Sequence, residues 1–118
     1  MVTKVFQHLN DIMPSETAHQ QGRKFVFLRN EDSVTDLTQF AYGKFMPGED
    51  SQDHVHLTME ECFFILKGEG GCIINGVYNK LTPGTFLRIP AGVTHKLKAD
   101  VGEVLEFVYF GIALPKYK

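Results

Sequence analysis

The sequence predicts an all-β domain, a sandwich or barrel, and three observations carry that prediction. From residue 30 onward, turn-forming residues recur at short intervals, over 30–33, 47–50, 68–71, 75–76, 82–84, 90–92 and 100–102. The stretches between them are strand-length and rich in β-branched and aromatic side chains. No stretch after residue 30 keeps a helical hydrophobic period for three turns.

The elements follow in chain order. An N-terminal arm is expected over about residues 1–22, with 11–21 as a short helix or an irregular segment. Strands are expected over 24–29, 37–46, 62–67, 72–74, 77–81, 86–89 and 104–112. Asn75-Gly76 carries the firmest local signal, because a two-residue type I′ hairpin needs positive φ at both positions and this pair tolerates it best. The strands on either side should therefore be antiparallel neighbours. Pro83-Gly84 suits a type II turn, with proline presetting φ at the second position and glycine supplying positive φ at the third, and it launches the strand at 86.

Composition bounds the function. The 118 residues, 43% of them hydrophobic, suit one domain over 1–118, because a chain of this length buries about two thirds of its unfolded surface in a single core. Net charge is −2 and the lysines and arginines are scattered, so the basic footprint that nucleic acid requires is missing. Residues 1–13 mix Lys4, Gln7, His8 and Asn10 among their apolar side chains, which leaves no signal-peptide core. The longest apolar runs, 62–66 and 107–114, fall well short of the roughly 20 residues of a membrane-spanning helix. A soluble, cytoplasmic protein is expected. Cys62 and Cys72 each lie in an apolar segment and are expected as free thiols packed like small hydrophobes.

In His54-Val55-His56 the histidines are two residues apart. On a strand both rings then leave the same face, with Cα atoms roughly 7 Å apart, and can converge on one ion; Gln52 shares that face. By itself this pair is more often a surface or core feature than a metal site. A bend must follow within 57–60, so parity alone leaves both Glu60 and Glu61 open as a carboxylate partner.

Two longer segments add the missing context. Residues 48–68 read GEDSQDHVHLTMEECFFILKG, and residues 84–99 read GTFLRIPAGVTHKLKA. Together they resemble the cupin family. The first matches the glycine, His-x-His, glutamate, glycine spacing of the first cupin motif at Gly48, His54, His56, Glu61 and Gly68. The second matches the glycine, Pro-x-Gly, histidine pattern at Gly84, Pro90, Gly92 and His95. It departs at Ala99, where cupins carry asparagine, and at Thr85, where many carry aspartate. That asparagine is not a ligand in cupins, so its loss bears on turn geometry or a substrate contact and not on the metal.

The resemblance implies a double-stranded β-helix, or jelly-roll, barrel and a metal site of His54, His56, Glu61 and His95. It also selects Glu61 over Glu60, because six residues separate the cupin ligand from the motif's last glycine. Three imidazoles and a carboxylate suit one divalent transition metal ion, Fe, Mn, Ni, Co, Cu or Zn, with positions left open for water or substrate. A metal-dependent enzyme of oxygenase, isomerase or lyase type acting on a small organic substrate is the leading expectation. The alternative is a non-catalytic module that binds a sugar or carboxylate through a metal anchor, and a third reading makes the ion a stabiliser of the barrel. Cupins of this kind commonly dimerise through an N-terminal strand, and residues 2–6 are the candidate here for a homodimer.

Alternation puts Phe63 and Ile65 on the face of Glu61, and Leu97 on that of His95. The pocket is expected from Gln52, Phe45, Phe63 and Phe107, with Phe40, Tyr42, Phe86 and Tyr109 as further candidates. Ten phenylalanines are expected first as barrel core or dimer face and only second as a ligand pocket. Glu106 is expected to face solvent at an edge rather than to point inward as a base. His8 and His19, in the polar N-terminal region, are expected to be solvated.

Overall fold

The computed structural model describes residues 4–15, 17 and 21–117. Eight strands form two antiparallel sheets: β1 (Arg23–Arg29), β2 (Leu37–Phe45), β3 (Met59–Lys67), β4 (Gly70–Ile74), β5 (Val77–Leu81), β6 (Phe86–Ile89), β7 (His95–Ala99) and β8 (Leu105–Ala113). The larger sheet runs β1-β2-β8-β3-β6 and the smaller β5-β4-β7. Among the described residues there is no α-helix, only short 3-10 turns, so the all-β jelly-roll expectation holds.

Turn chemistry explains the connections. Asn75 and Gly76 take φ of 48° and 82°, the type I′ pattern, and join β4 to β5 in register Ile74↔Val77. Gly84 takes φ of 91° as the third residue of its turn, closed by Thr85 N–H donating to the Thr82 carbonyl at 3.0 Å.

Period-two alternation then sorts side chains between the two faces of each strand. On β3, Glu61, Phe63 and Ile65 turn inward and are buried, while Phe64 and Leu66 are exposed. On β8, Leu105 and Phe107 join them in the interior. The core lies between the sheets, with Ile65, Leu81, Ile89, Leu97, Leu105 and Cys72 at its centre. Both cysteines are free and buried.

Strand β7 was not among the strands expected from the sequence. Residues 95–99 read HKLKA, without the β-branched and aromatic residues that mark the other strands. Its alternation is nonetheless clean: His95, Leu97 and Ala99 are buried, and Lys96 and Lys98 lie outside. The segment 48–56 runs beside it through single bridges at Asp50↔Lys98 and His54↔His95. That irregular fourth run completes the smaller sheet where the site lies.

The described part of the N-terminal arm is irregular, with a 3-10 turn over Leu9–Asp11 and a bridge from Ser15 to Lys24. Of the proposed dimer strand, residues 2 and 3 lie outside the described residues. Lys4, Val5 and Phe6 form a bend rather than a strand, and Lys4 has φ of 57°.

Candidate metal centre

Three segments deliver four donors to one place. His54 and His95 exchange both backbone hydrogen bonds, at 3.0 and 2.9 Å, as a hydrogen-bonded antiparallel pair, and their rings lie 4.1 Å apart. The His56 carbonyl accepts from Gly92 N–H at 2.8 Å, which ties the His-x-His to the 90–92 turn of the second motif. Glu61 arrives from the other sheet, its strand starting at Met59 after a bend at Leu57 and Thr58. The same alternation sends Glu60 outward to an ion pair with Arg88 at 2.7 Å. One donor atom from each of His54, His56, Glu61 and His95 lies within 4.8 Å of every other.

Backbone carbonyls orient two of the rings. His54 Nδ1 lies 3.0 Å from the Gln52 carbonyl oxygen and His95 Nδ1 lies 2.9 Å from that of Val93. A carbonyl only accepts, so each Nδ1 carries the proton and each Nε2 presents its lone pair to the cluster. Glu61 Oε1 lies 3.2 Å from His56 Nε2 and 3.6 Å from His95 Nε2.

Protonation follows from these contacts. Burial lowers the pKa of His54, which keeps that ring neutral. The hydrogen bond to Glu61 raises that of His56 and outweighs its burial. Burial alone would raise Glu61, but the contacts and charges of His56 and His95 overcome it and hold the carboxyl down at about 2. The carboxylate is therefore ionised through the neutral and mildly acidic range.

His95 tests whether these residues fit a metal. The side chain is fully buried and its Nε2 has no hydrogen-bond partner. A buried orphan of this kind costs about 1–3 kcal/mol, and a cation in the cluster is the partner its lone pair lacks. Three imidazoles with one carboxylate are also the donor set of borderline divalent transition ions.

A solvent-open cavity of about 140 Å³ adjoins the cluster. Phe45, Phe63 and Phe107 line it, together with Tyr109, Leu97 and Ser51. Phe63 and Tyr109 stack at 5.2 Å with planes 13° apart, and Phe107 lies tilted against both. Burial and the Glu61 charge raise the Tyr109 pKa, so its hydroxyl keeps its proton.

Several expected lining residues lie elsewhere. Gln52 is exposed and outside the cavity lining, because φ of 58° breaks the alternation that would have aligned it with His54. Its contribution is the backbone carbonyl at His54. Phe40, Tyr42 and Phe86 sit on the outer face of the larger sheet: Phe40 stacks on Phe110 at 6.3 Å, and Phe86 is 62% exposed. Glu106 faces outward too, but from the central strand β8 rather than from an edge, and it accepts a hydrogen bond from Tyr42. His8 is exposed and caps the first 3-10 turn by accepting from Asn10 N–H, while His19 lies outside the described residues.

Sequence reasoning passed over Lys24, Gln39, Gly43 and Ser51, all of which border the cavity. Alternation from Val26 and Phe45 would have turned Lys24, Gln39 and Gly43 inward, whereas nothing local marked Ser51. Its buried hydroxyl accepts from Leu97 N–H at 2.9 Å and couples the irregular run to β7.

The family model for the cupin domain matches residues 41–111. The chain belongs to the cupin family. Its fold is similar to that of a predicted oxalate decarboxylase from Thermotoga maritima, at 24% identity over 93% of this chain and 100% of that one, with a TM-score of 0.82. The polyketide cyclase RemF from Streptomyces resistomycificus is similar at 18% identity over 91% and 78% of the two chains, with a TM-score of 0.78. The cupin domain of Cnp3 from Schizosaccharomyces pombe is similar at 14% identity over 93% and 74%, also with a TM-score of 0.78. At these identities the likeness is one of fold. No curated protein sequence is a match. As a cupin, the chain joins a family whose barrel serves unlike tasks, so the site must carry the functional argument.

Proposed function

We propose that this cupin binds one divalent transition metal ion through His54, His56, Glu61 and His95 and acts as a metal-dependent enzyme on a small organic substrate. The observation that carries the reading is the fully buried His95 Nε2, unpartnered and aimed into a cluster of three further donors beside an open cavity. When bound, the ion supplies Lewis acidity toward a substrate oxygen or, as iron, oxygen activation.

The chain's own residues supply the rest. The Gln52 and Val93 carbonyls fix two imidazoles in the tautomer that leaves Nε2 free. Phe63, Phe107 and Phe45 give the cavity an apolar wall that displaces water from a bound molecule. Tyr109 keeps a phenolic proton near Glu61, where it can donate a hydrogen bond to a substrate oxygen.

Oxygen uptake by Fe(II)-loaded protein offered a panel of 2-oxo, hydroxy and aromatic acids separates the reaction classes. Consumption above the His95→Ala background assigns an oxygenase. Turnover without oxygen in Mn(II), Ni(II) or Zn(II) protein assigns an isomerase or lyase. Tight metal binding with no turnover under either condition contradicts the enzymatic reading and favours a metal-anchored binding module.

The exposed Phe64, Leu66 and Phe86 on the outer face of the larger sheet support a homodimer, consistent with cytoplasmic solubility only if that face is covered. Light scattering at micromolar concentration should give twice the chain mass; a monomer refutes this.

A further inference from the structure

The charge of the cavity lining is one-sided. Glu61 is the only carboxylate among the described residues that line it, and it faces the histidines. Against it stand two cations, Arg23 and Lys24, before any metal is counted. Among the described residues no carboxylate pairs with either of them.

Lys24 is the more telling of the two. It is half-buried, two residues before the buried Val26, and pairs with Gly43, which in turn pairs with Phe107 of β8. Val26 and Phe107 face the interior, so this row places Lys24 on the inward face of β1. A Cβ at Gly43 would lie 2.4 Å from the Phe107 ring, so glycine makes room for that ring against β2 at the position paired with Lys24. Three strand spacings, about 14 Å along the sheet, separate β1 from the Glu61 strand β3.

We propose that the cavity selects carboxylates with an aromatic or apolar body, the anionic end held by Lys24 and the body lying on Phe107, Phe63 and Tyr109 toward the metal cluster. The inference rests on the cavity being a small-molecule site, and it names the substrate class that the proposed function leaves open. A half-buried ammonium that no carboxylate among the described residues pairs with, beside an apolar wall, pairs more favourably with an anionic ligand than with a neutral one of the same shape. Arg23, exposed at the mouth, adds to the attraction of anions into the cavity.

The probes are 3-phenylpropanoate and its neutral isostere 3-phenylpropanamide, titrated calorimetrically into zinc-loaded and into metal-stripped protein. The acid should bind about tenfold tighter than the amide in both forms. Lys24→Met and Lys24→Gln should each abolish the preference while leaving amide affinity and zinc stoichiometry unchanged, and Lys24→Arg should retain it. Equal affinities in the wild type, failure of both compounds to bind, or a preference that survives Lys24→Met would each overturn the proposal. If the preference survives only in the zinc-loaded form, the carboxylate sits on the metal instead. Failure to take up zinc would count against the metal reading alone, since the metal-stripped arm still measures the role of Lys24.

Discussion

At the scale of single residues, the site is a set of protonation choices imposed by neighbours. His54 is kept neutral by burial, whereas His56 is made more basic by Glu61, so a proton competes with a metal first at His56. Metal affinity should therefore fall below about pH 6, and dialysis at pH 5 should release an ion that is retained at pH 7.5; unchanged occupancy at pH 5 would count against the site. Glu61 works in the opposite sense in the metal-free protein. Its folded-state pKa of about 2 lies below its ordinary value of 4.5, so its stabilising contribution is complete above the ordinary value and is lost as pH falls toward the folded one. Melting of stripped wild type should become steeply pH-dependent between these limits, and Glu61→Gln should flatten that dependence. Alternation alone leaves Glu60 and Glu61 equivalent, because the bend at Leu57 and Thr58 that decides their parity has no distinctive residue type, and it is the motif resemblance that selects Glu61. Gln52 lies elsewhere for a related reason: positive φ at a glutamine, unlike that at Asn75 before Gly76, leaves no mark in the sequence.

At the scale of elements, legibility followed turn chemistry. The β4–β5 hairpin was readable to its register because Asn75-Gly76 admits few other conformations. Gly76→Val should cost at least about 1–2 kcal/mol, since the branched side chain must enter the left-handed region, and a chevron or equilibrium melt would show it. Strand β7 was unreadable as a strand because its two lysines and its short length mimic a loop, and its pairing with β4 is a long-range fact. Gly43 was equally silent, as its role appears only when Phe107 is laid across it from another strand. Gly43→Ala should destabilise by about 1–3 kcal/mol through overpacking, and it should also weaken ligand binding by displacing that ring. A neutral result on thermal stability would mean that Phe107 has room to move.

At the scale of the whole molecule, the barrel holds Glu61 on one sheet and the histidines on the smaller sheet and the irregular run beside it, so the cluster bridges the two layers. An ion bound there links the sheets and should stabilise the fold. At a free metal concentration about a hundredfold above Kd, linkage gives about 2.7 kcal/mol, which for a chain of this size is on the order of 10 °C in Tm. Chelation should reverse the shift, and absence of any shift would separate the cluster from metal binding. The all-β class was legible from turns and strand composition, and the barrel and the four-donor cluster through the resemblance of two motifs to the cupin family. The cationic end of the cavity was not, because it depends on how β1 packs at the far edge of the sheet. Metal binding at the four donors underlies all of this, and elemental analysis of protein purified without added metal measures it. The wild type should hold about one transition metal ion per chain, and a folded His95→Ala variant less than about a tenth of that. A wild type that takes up no ion even when offered Zn(II), or a variant that keeps its full complement, would contradict it.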